Sequence, residues 1–163
     1  MTRLFVAIWP PDPVLDSLAD LPQPRDPGVR WVEREQRHIT LRFFRDADPT
    51  AVIDALDHVE LPAATAQLGP AIDVLGERSL VIPVAGVDDL AAVVERATRR
   101  DAPSRRRFVR HLTIARLARR ARPQRSVGTR FAATFTVDRV ALVHSDLQPS
   151  GAIYETIATW PTA

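Results

Sequence analysis

The stretches HITLRFF at residues 38–44 and FVRHLTIARL at residues 108–117 decide how this chain is read. In each, apolar and polar residues alternate, the signature of a strand with one buried face. Each also holds the same short pattern, His38-Ile39-Thr40-Leu41 in the first and His111-Leu112-Thr113-Ile114 in the second. Side chains two residues apart on a strand share a face, so each strand presents an imidazole beside a hydroxyl. Two imidazoles and two hydroxyls facing one cleft suit displacement at phosphorus. One imidazole takes a proton from the nucleophile and the other protonates the departing oxygen, both near neutral pH. The hydroxyls of Thr40 and Thr113 would donate to the non-bridging oxygens, where charge is held in the transition state. Arg116, five residues after His111, would add full charge there. Strict alternation puts it on the face opposite His111, so it needs a bulge or a strand end to reach the cleft.

Outward from these strands, residues 3–9 (RLFVAIW) read as a buried strand ended by Pro10 and Pro11. Val14, Leu15, Leu18 and Leu21 predict a helix over residues 13–21. Val52, Ile53, Leu56 and Val59 predict a second over 50–59, with Asp48 or Thr50 as its cap. A third is expected over 88–99, acidic at its start and basic at its end as the helix dipole favours. Residues 66–87 hold two expected strands, around 72–75 and 80–84, with Gly76-Glu77-Arg78 as the turn. Residues 131–143 and 154–160 read as the last two strands. Strands outnumber helices and the helices punctuate them, which makes α+β the expected class. No composition shift marks a linker, so residues 1–163 are expected to form one domain.

The 163 residues contain no Cys, which removes disulfides, thiolate metal sites and thiol nucleophiles. All 22 basic residues are Arg, and the net charge of +2 is unevenly spread. Residues 99–130 hold 12 Arg against Asp101 alone, inside an otherwise acidic chain. Such a block is either a polyanion contact, since guanidinium offers phosphate a bidentate fork, or a solvated Arg-rich surface. No apolar stretch approaches the roughly 18 residues of a membrane span, and the start has no leader pattern, so a soluble cytoplasmic protein is expected.

Other chemistries fit poorly. Zinc is disfavoured because each strand offers one good ligand, with no His-x-x-x-His and no Cys beside it. There is no G-x-S-x-G elbow for a serine nucleophile and no Lys for a phosphate loop. Trp31 and Phe43 are candidates to stack on bases, although Phe43 shares the apolar face of its strand and core packing is the favoured expectation. His58 falls near the end of the second helix, where the dipole explains it. His144 and Ser145 are expected to be structural.

The paired motifs bring the chain close to a known family. It resembles the 2H phosphoesterases, and within them the RNA 2′,3′-cyclic phosphodiesterases, also called 2′-5′ RNA ligases. RLFVAIWP is similar to the family's opening strand, RW followed by HITLRF to its first motif region, FVRHLTIAR to its second, and LVHSDLQPSGAIYETIATWP to its closing pattern. The resemblance implies a two-lobed, LigT-like α+β fold with an internal pseudo-two-fold, each lobe giving one His-x-Thr strand to a central cleft. It implies metal-free, cofactor-free hydrolysis of an RNA 2′,3′-cyclic phosphate to a 2′-phosphate, with 2′-5′ joining as the reverse-type reaction. His38 and His111 are then catalytic, with His111 assigned as the base that activates water and His38 as the acid that protonates O3′. Thr40, Thr113 and Arg116 bind phosphate. Trp31, Arg42, Arg106 and Arg110 are candidate RNA contacts. The expected partner is RNA with a cyclic phosphate end, tRNA fragments among them, acted on by a monomer with no membrane association. Arg45 and Arg110 stand where the family often has Gly and Pro, changes that touch substrate contacts and loop shape rather than the four core residues. Two alternatives remain open: an RNA- or nucleotide-binding module without turnover, and a 2H enzyme for a small cyclic nucleotide.

Overall fold

The computed structural model describes residues 2–99, 109–121 and 125–163. Its strands are β1 (Thr2–Ile8), β2 (Val29–Trp31), β3 (Ile39–Ala47), β4 (Ala64–Leu68), β5 (Asp73–Leu75), β6 (Ser79–Ala85), β7 (His111–Leu117), β8 (Ala133–Val137), β9 (Arg139–Gln148) and β10 (Gly151–Pro161). The helices are α1 (Asp12–Ala19), α2 (Pro49–Asp57) and α3 (Asp88–Thr98), with a short 3₁₀ turn at Arg34–Gln36. Among the described residues no helix is long and apolar enough to cross a membrane.

All pairings are antiparallel, and the strands form one curled sheet in the order β10-β9-β1-β3-β7-β6-β4-β8, with β2 beside β7 and β5 beside β6. The order reads as two four-stranded halves meeting at β3 and β7. One half is built from β1, β3 and the C-terminal hairpin, the other from β4, β6, β7 and β8. This is the expected two-lobed α+β architecture.

The main core lies between the sheet and the helices. Leu4, Val6 and Ile8 of β1, Ile39 and Leu41 of β3, and Leu112, Ile114 and Ala115 of β7 meet Val14 and Leu18 of α1, Val52 and Leu56 of α2, and Leu90 and Val94 of α3. Alternate residues of β1 face the other way, where Phe5 and Ala7 form a smaller cluster with Ala141 and Val143. A strand covered on both faces needs an unbroken apolar run, which is what RLFVAIW supplies. Asp48 caps α2, its carboxylate accepting from the Thr50 amide at 3.1 Å. Gly86 ends β6 at a φ of +89°, and a Cβ there would sit 2.0 Å from the Thr65 carbonyl oxygen, so only glycine allows β4 and β6 this close.

Three sequence expectations change. Residues 131–143 are two strands divided at Asp138, β8 belonging to one half of the sheet and β9 to the other. Residues 64–68, for which the sequence predicts no element, form β4, whose weak strand formers are held by pairing with β6 and β8 on either side. The strand expected at 154–160 extends to Gly151–Pro161 and pairs along its length with β9.

Candidate active site

The two motif strands are neighbours in the sheet. Ile39 of β3 pairs with Leu112 of β7 in antiparallel register, and both side chains enter the main core. Continuing that register by one residue on each side sets His38 opposite Thr113 and Thr40 opposite His111, all four on the open face. Residues so placed have Cβ atoms about 5 Å apart. Each imidazole therefore stands beside the hydroxyl of the other motif, and the local two-fold passes between Ile39 and Leu112.

A bulge follows the Thr in both motifs. Ala7 pairs with Thr40 and Val6 with Arg42, leaving Leu41 as the extra residue of β3. Val81 pairs with Thr113 and Leu80 with Ala115, leaving Ile114 as the extra residue of β7. An extra residue inverts the alternation of everything beyond it. Arg116 is thereby turned to the face of His111 and Thr113, where its guanidinium donates to Ser79 Oγ at 3.2 Å. The bulge that alternation required of Arg116 is present.

The same device in β3 overturns two expectations. Phe43 pairs with Phe5 on the open face, is 43% exposed and lies under the Arg3 guanidinium, 4.6 Å from the ring centroid, rather than in the core. Arg42, expected to contact RNA, pairs with the core residue Val6 and turns to the helix side. There it covers the Phe44 ring at 4.9 Å and feels Glu95 of α3. Arg110 shares the parity of Leu112 and is attracted by Asp88 and Glu95, so it too is directed to α3 rather than into the cleft. Arg106 lies outside the described residues.

Both imidazoles are held the same way. His38 Nδ1 is 2.7 Å from the Gln36 carbonyl oxygen, and His111 Nδ1 is 2.7 Å from the Val109 carbonyl oxygen. A carbonyl only accepts, so Nδ1 carries the proton in each ring and Nε2 is left to take or give one. The surroundings differ. The His38 ring stacks on Phe5 at 4.6 Å and meets Trp9 and Tyr154 edge-on at 5.6 and 5.4 Å. That aromatic enclosure desolvates the ring and lowers its pKa from 6.5 to about 4, against the opposing pull of the Gln36 carbonyl, with Arg116 and His111 adding repulsion. His111 is also lowered, by burial first and then by Arg116 and Arg110.

A cavity of about 530 Å³ opens from His38, Thr113 and Arg116. Its walls are the β9–β10 hairpin, including Ser145 and Tyr154, and the segment through Arg30, Trp31 and Glu33. Gln36 ties the two walls, its side-chain amide donating to the Ala152 carbonyl at 2.6 Å. Trp31 borders the cavity while packing on the main core, with its indole N–H donating to the Pro24 carbonyl at 3.2 Å. Sequence reasoning did not single out Arg3, Phe5, Trp9, Tyr154 or Arg30 as site residues. The alternation of RLFVAIW, with Arg3, Phe5, Ala7 and Trp9 at even spacing, was the available signal for three of them. His58 is the C-cap of α2, its Nδ1 2.7 Å from the Asp54 carbonyl, and its pKa is raised by that bond and by the Asp54 charge. Among the described residues no three His, Cys, Asp or Glu side chains converge as a metal cluster would.

The family model of LigT-like phosphoesterases matches residues 8–68, the segment from the end of β1 through the first motif to β4. No curated protein sequence matches the chain. Among solved structures, the protein TT0787 of Thermus thermophilus superposes with a TM-score of 0.77 at 24% identity, over 98% of this chain and 97% of its own. E. coli LigT complexed with 3′-AMP superposes with a TM-score of 0.77 at 20% identity, over 99% of this chain and 98% of its own. The MHV ns2 PDE domain is more distant, with a TM-score of 0.54 at 13% identity over 95% and 99%. Matched in sequence across its first motif and in fold from end to end, the chain is similar to the LigT-like phosphoesterases and shares their fold.

Proposed function

We propose that the protein hydrolyses RNA 2′,3′-cyclic phosphate ends to 2′-phosphates without a metal, using His38 and His111 as the proton-transfer pair. The observation that supports this is the Ile39–Leu112 register, whose continuation sets both His-x-Thr pairs on one face of the sheet. That E. coli LigT is seen with 3′-AMP supports a nucleotide ligand for the same fold.

The environments of the two rings favour roles opposite to those assigned from sequence. His38, with the pKa near 4, is the neutral imidazole and acts as base. Its Nε2 takes a proton from water, the water oxygen bonds to phosphorus, and the P–O3′ bond breaks. His111 Nε2–H delivers its proton to O3′, leaving a 3′-hydroxyl and a 2′-phosphate. Thr40, Thr113 and Arg116 donate to the non-bridging oxygens as their charge builds. With a 5′-hydroxyl in place of water as the nucleophile, the same steps in the same direction describe 2′-5′ joining: the 5′-oxygen bonds to phosphorus, the P–O3′ bond breaks and O3′ takes the proton.

The test is incubation with a short RNA ending in a 2′,3′-cyclic phosphate, EDTA present, with the product compared with 2′- and 3′-phosphate standards. A 2′-phosphate product is expected. A 3′-phosphate would place the breaking bond at O2′ and reverse the geometry, and no turnover would leave a binding module.

A further inference from the structure

The cavity that opens from His38 extends beyond that imidazole, and its lining is cationic. Arg3, Arg30 and Arg116 all line it, against Glu33 as the one carboxylate among the described lining residues. Arg30 of β2 is the direct cross-strand partner of Arg116 of β7, so the two side chains leave the sheet on the same face. Like charges set directly opposite one another destabilise a sheet pair. Among the described residues neither guanidinium has a carboxylate at ion-pair distance. Arg30 also lies against the turn of the C-terminal hairpin, with Nη1 3.9 Å from where a Cβ on Gly151 would stand. Gln148 and Ser150 of that turn line the same end and offer further donors.

We propose that Arg30, beside Arg116 and the hairpin turn, forms a second phosphate subsite that takes the phosphodiester on the 5′ side of the reacting nucleotide. The inference rests on the proposed cyclic-phosphate reading of the site. A cyclic phosphate is the last phosphate of its strand, so any second phosphate of the substrate lies 5′ to it. Along β7 the order His111, Thr113, Arg116 leads away from the reacting centre, and Arg30 is one strand across from its end. An anion there relieves the Arg30–Arg116 repulsion and receives charge-assisted hydrogen bonds from both. The preferred substrate is then an oligonucleotide of at least two residues rather than a nucleoside cyclic monophosphate.

The test compares kcat/KM for a nucleoside 2′,3′-cyclic monophosphate and for a dinucleotide ending in the same cyclic phosphate, in wild type, Arg30→Gln and Arg30→Lys. Wild type is expected to favour the dinucleotide by about tenfold or more, Arg30→Gln to bring that ratio near one, and Arg30→Lys to restore part of it. Arg30 is exposed, and denaturation midpoints check that the variants fold. A wild-type ratio of one, or a ratio that Arg30→Gln leaves intact, overturns the subsite. Binding of a dinucleotide and a mononucleotide, each ending in a 2′-phosphate, reads the same ratio without turnover. If wild type turns over neither cyclic substrate, the hydrolase reading fails, and the binding ratio alone upholds or rejects the subsite.

Discussion

At His38, three aromatic rings do what no residue inside the His-x-Thr motif does: they make the neutral imidazole the stable form. Two consequences follow for pH. A base must be unprotonated, so activity rises with pH through its pKa, and an acid must be protonated, so activity falls through its own. Because burial lowers both His38 and His111 below 6.5, both limbs of kcat/KM for the free enzyme should fall on the acid side of that value, giving a bell with an acidic optimum. A profile centred well above pH 7 would contradict the two-imidazole scheme. Stability follows the same shift. Between pH 6.5 and 4 the unfolded chain binds a proton at His38 that the folded chain refuses, so the native state weakens as pH falls through that window and recovers as it rises. The shift corresponds to about 3 kcal/mol at most. Denaturant midpoints of wild type and His38→Gln, measured at pH 7 and pH 4.5, should therefore converge or cross as pH drops, since the variant lacks the titration. In the activity assay His38→Ala and His111→Ala should each lose about 10²-fold or more, the range for removing a general acid or base.

The motif strands owe the facing of their side chains to a defect repeated at the same place. Without the extra residue Ile114, Arg116 would point into the main core, and without Leu41, Phe43 would point there too. The two bulges give Arg116 and Arg42 opposite fates, which separates two kinds of loss. Arg116→Ala should lower kcat/KM by about 10²-fold, as loss of a charge stabiliser does, with little change in denaturation midpoint. Arg42→Ala should do the reverse, costing about 1 kcal/mol through lost packing over Phe44 and lost attraction to Glu95 while kcat/KM stays within about twofold. Equal effects of the two variants on turnover would return Arg42 to the cleft. The helices and most strands were legible because their periodicity is local, as in α3, where Leu90 and Val94 fall on one buried face. Bulges were not, because an extra residue exists only relative to a partner strand. Phe43 was misplaced for that reason. The short β4, Ala64–Leu68, escaped notice because alanine and glutamine carry little strand preference and only its two neighbours make it a strand.

Across the whole molecule, the chain builds its two halves out of sequence order, and that order hides the site's geometry. Its last two strands return to join β1, so that Tyr154 and Ser145 reach the cavity beside His38, more than a hundred positions earlier in the chain. The repeated motif could be seen in the sequence, but that its copies lie side by side depends on non-local pairing that no local pattern encodes. Charge is distributed just as unevenly, with 12 of the 22 Arg in residues 99–130, a segment that brackets β7. If that segment tracks an RNA backbone, each additional phosphate it contacts steepens the fall of log K with log salt by about 0.7 for a single strand. Binding of a dinucleotide and of a ten-residue RNA, both ending in a 2′-phosphate, should accordingly be measured from about 50 to 300 mM salt, the range where counterion release dominates. The longer RNA is expected to show the steeper slope, and replacing Arg105, Arg106 and Arg107 by Gln should bring it back toward that of the dinucleotide. Equal slopes in wild type would make the block a solvated surface and confine recognition to the cavity between Arg30 and His38.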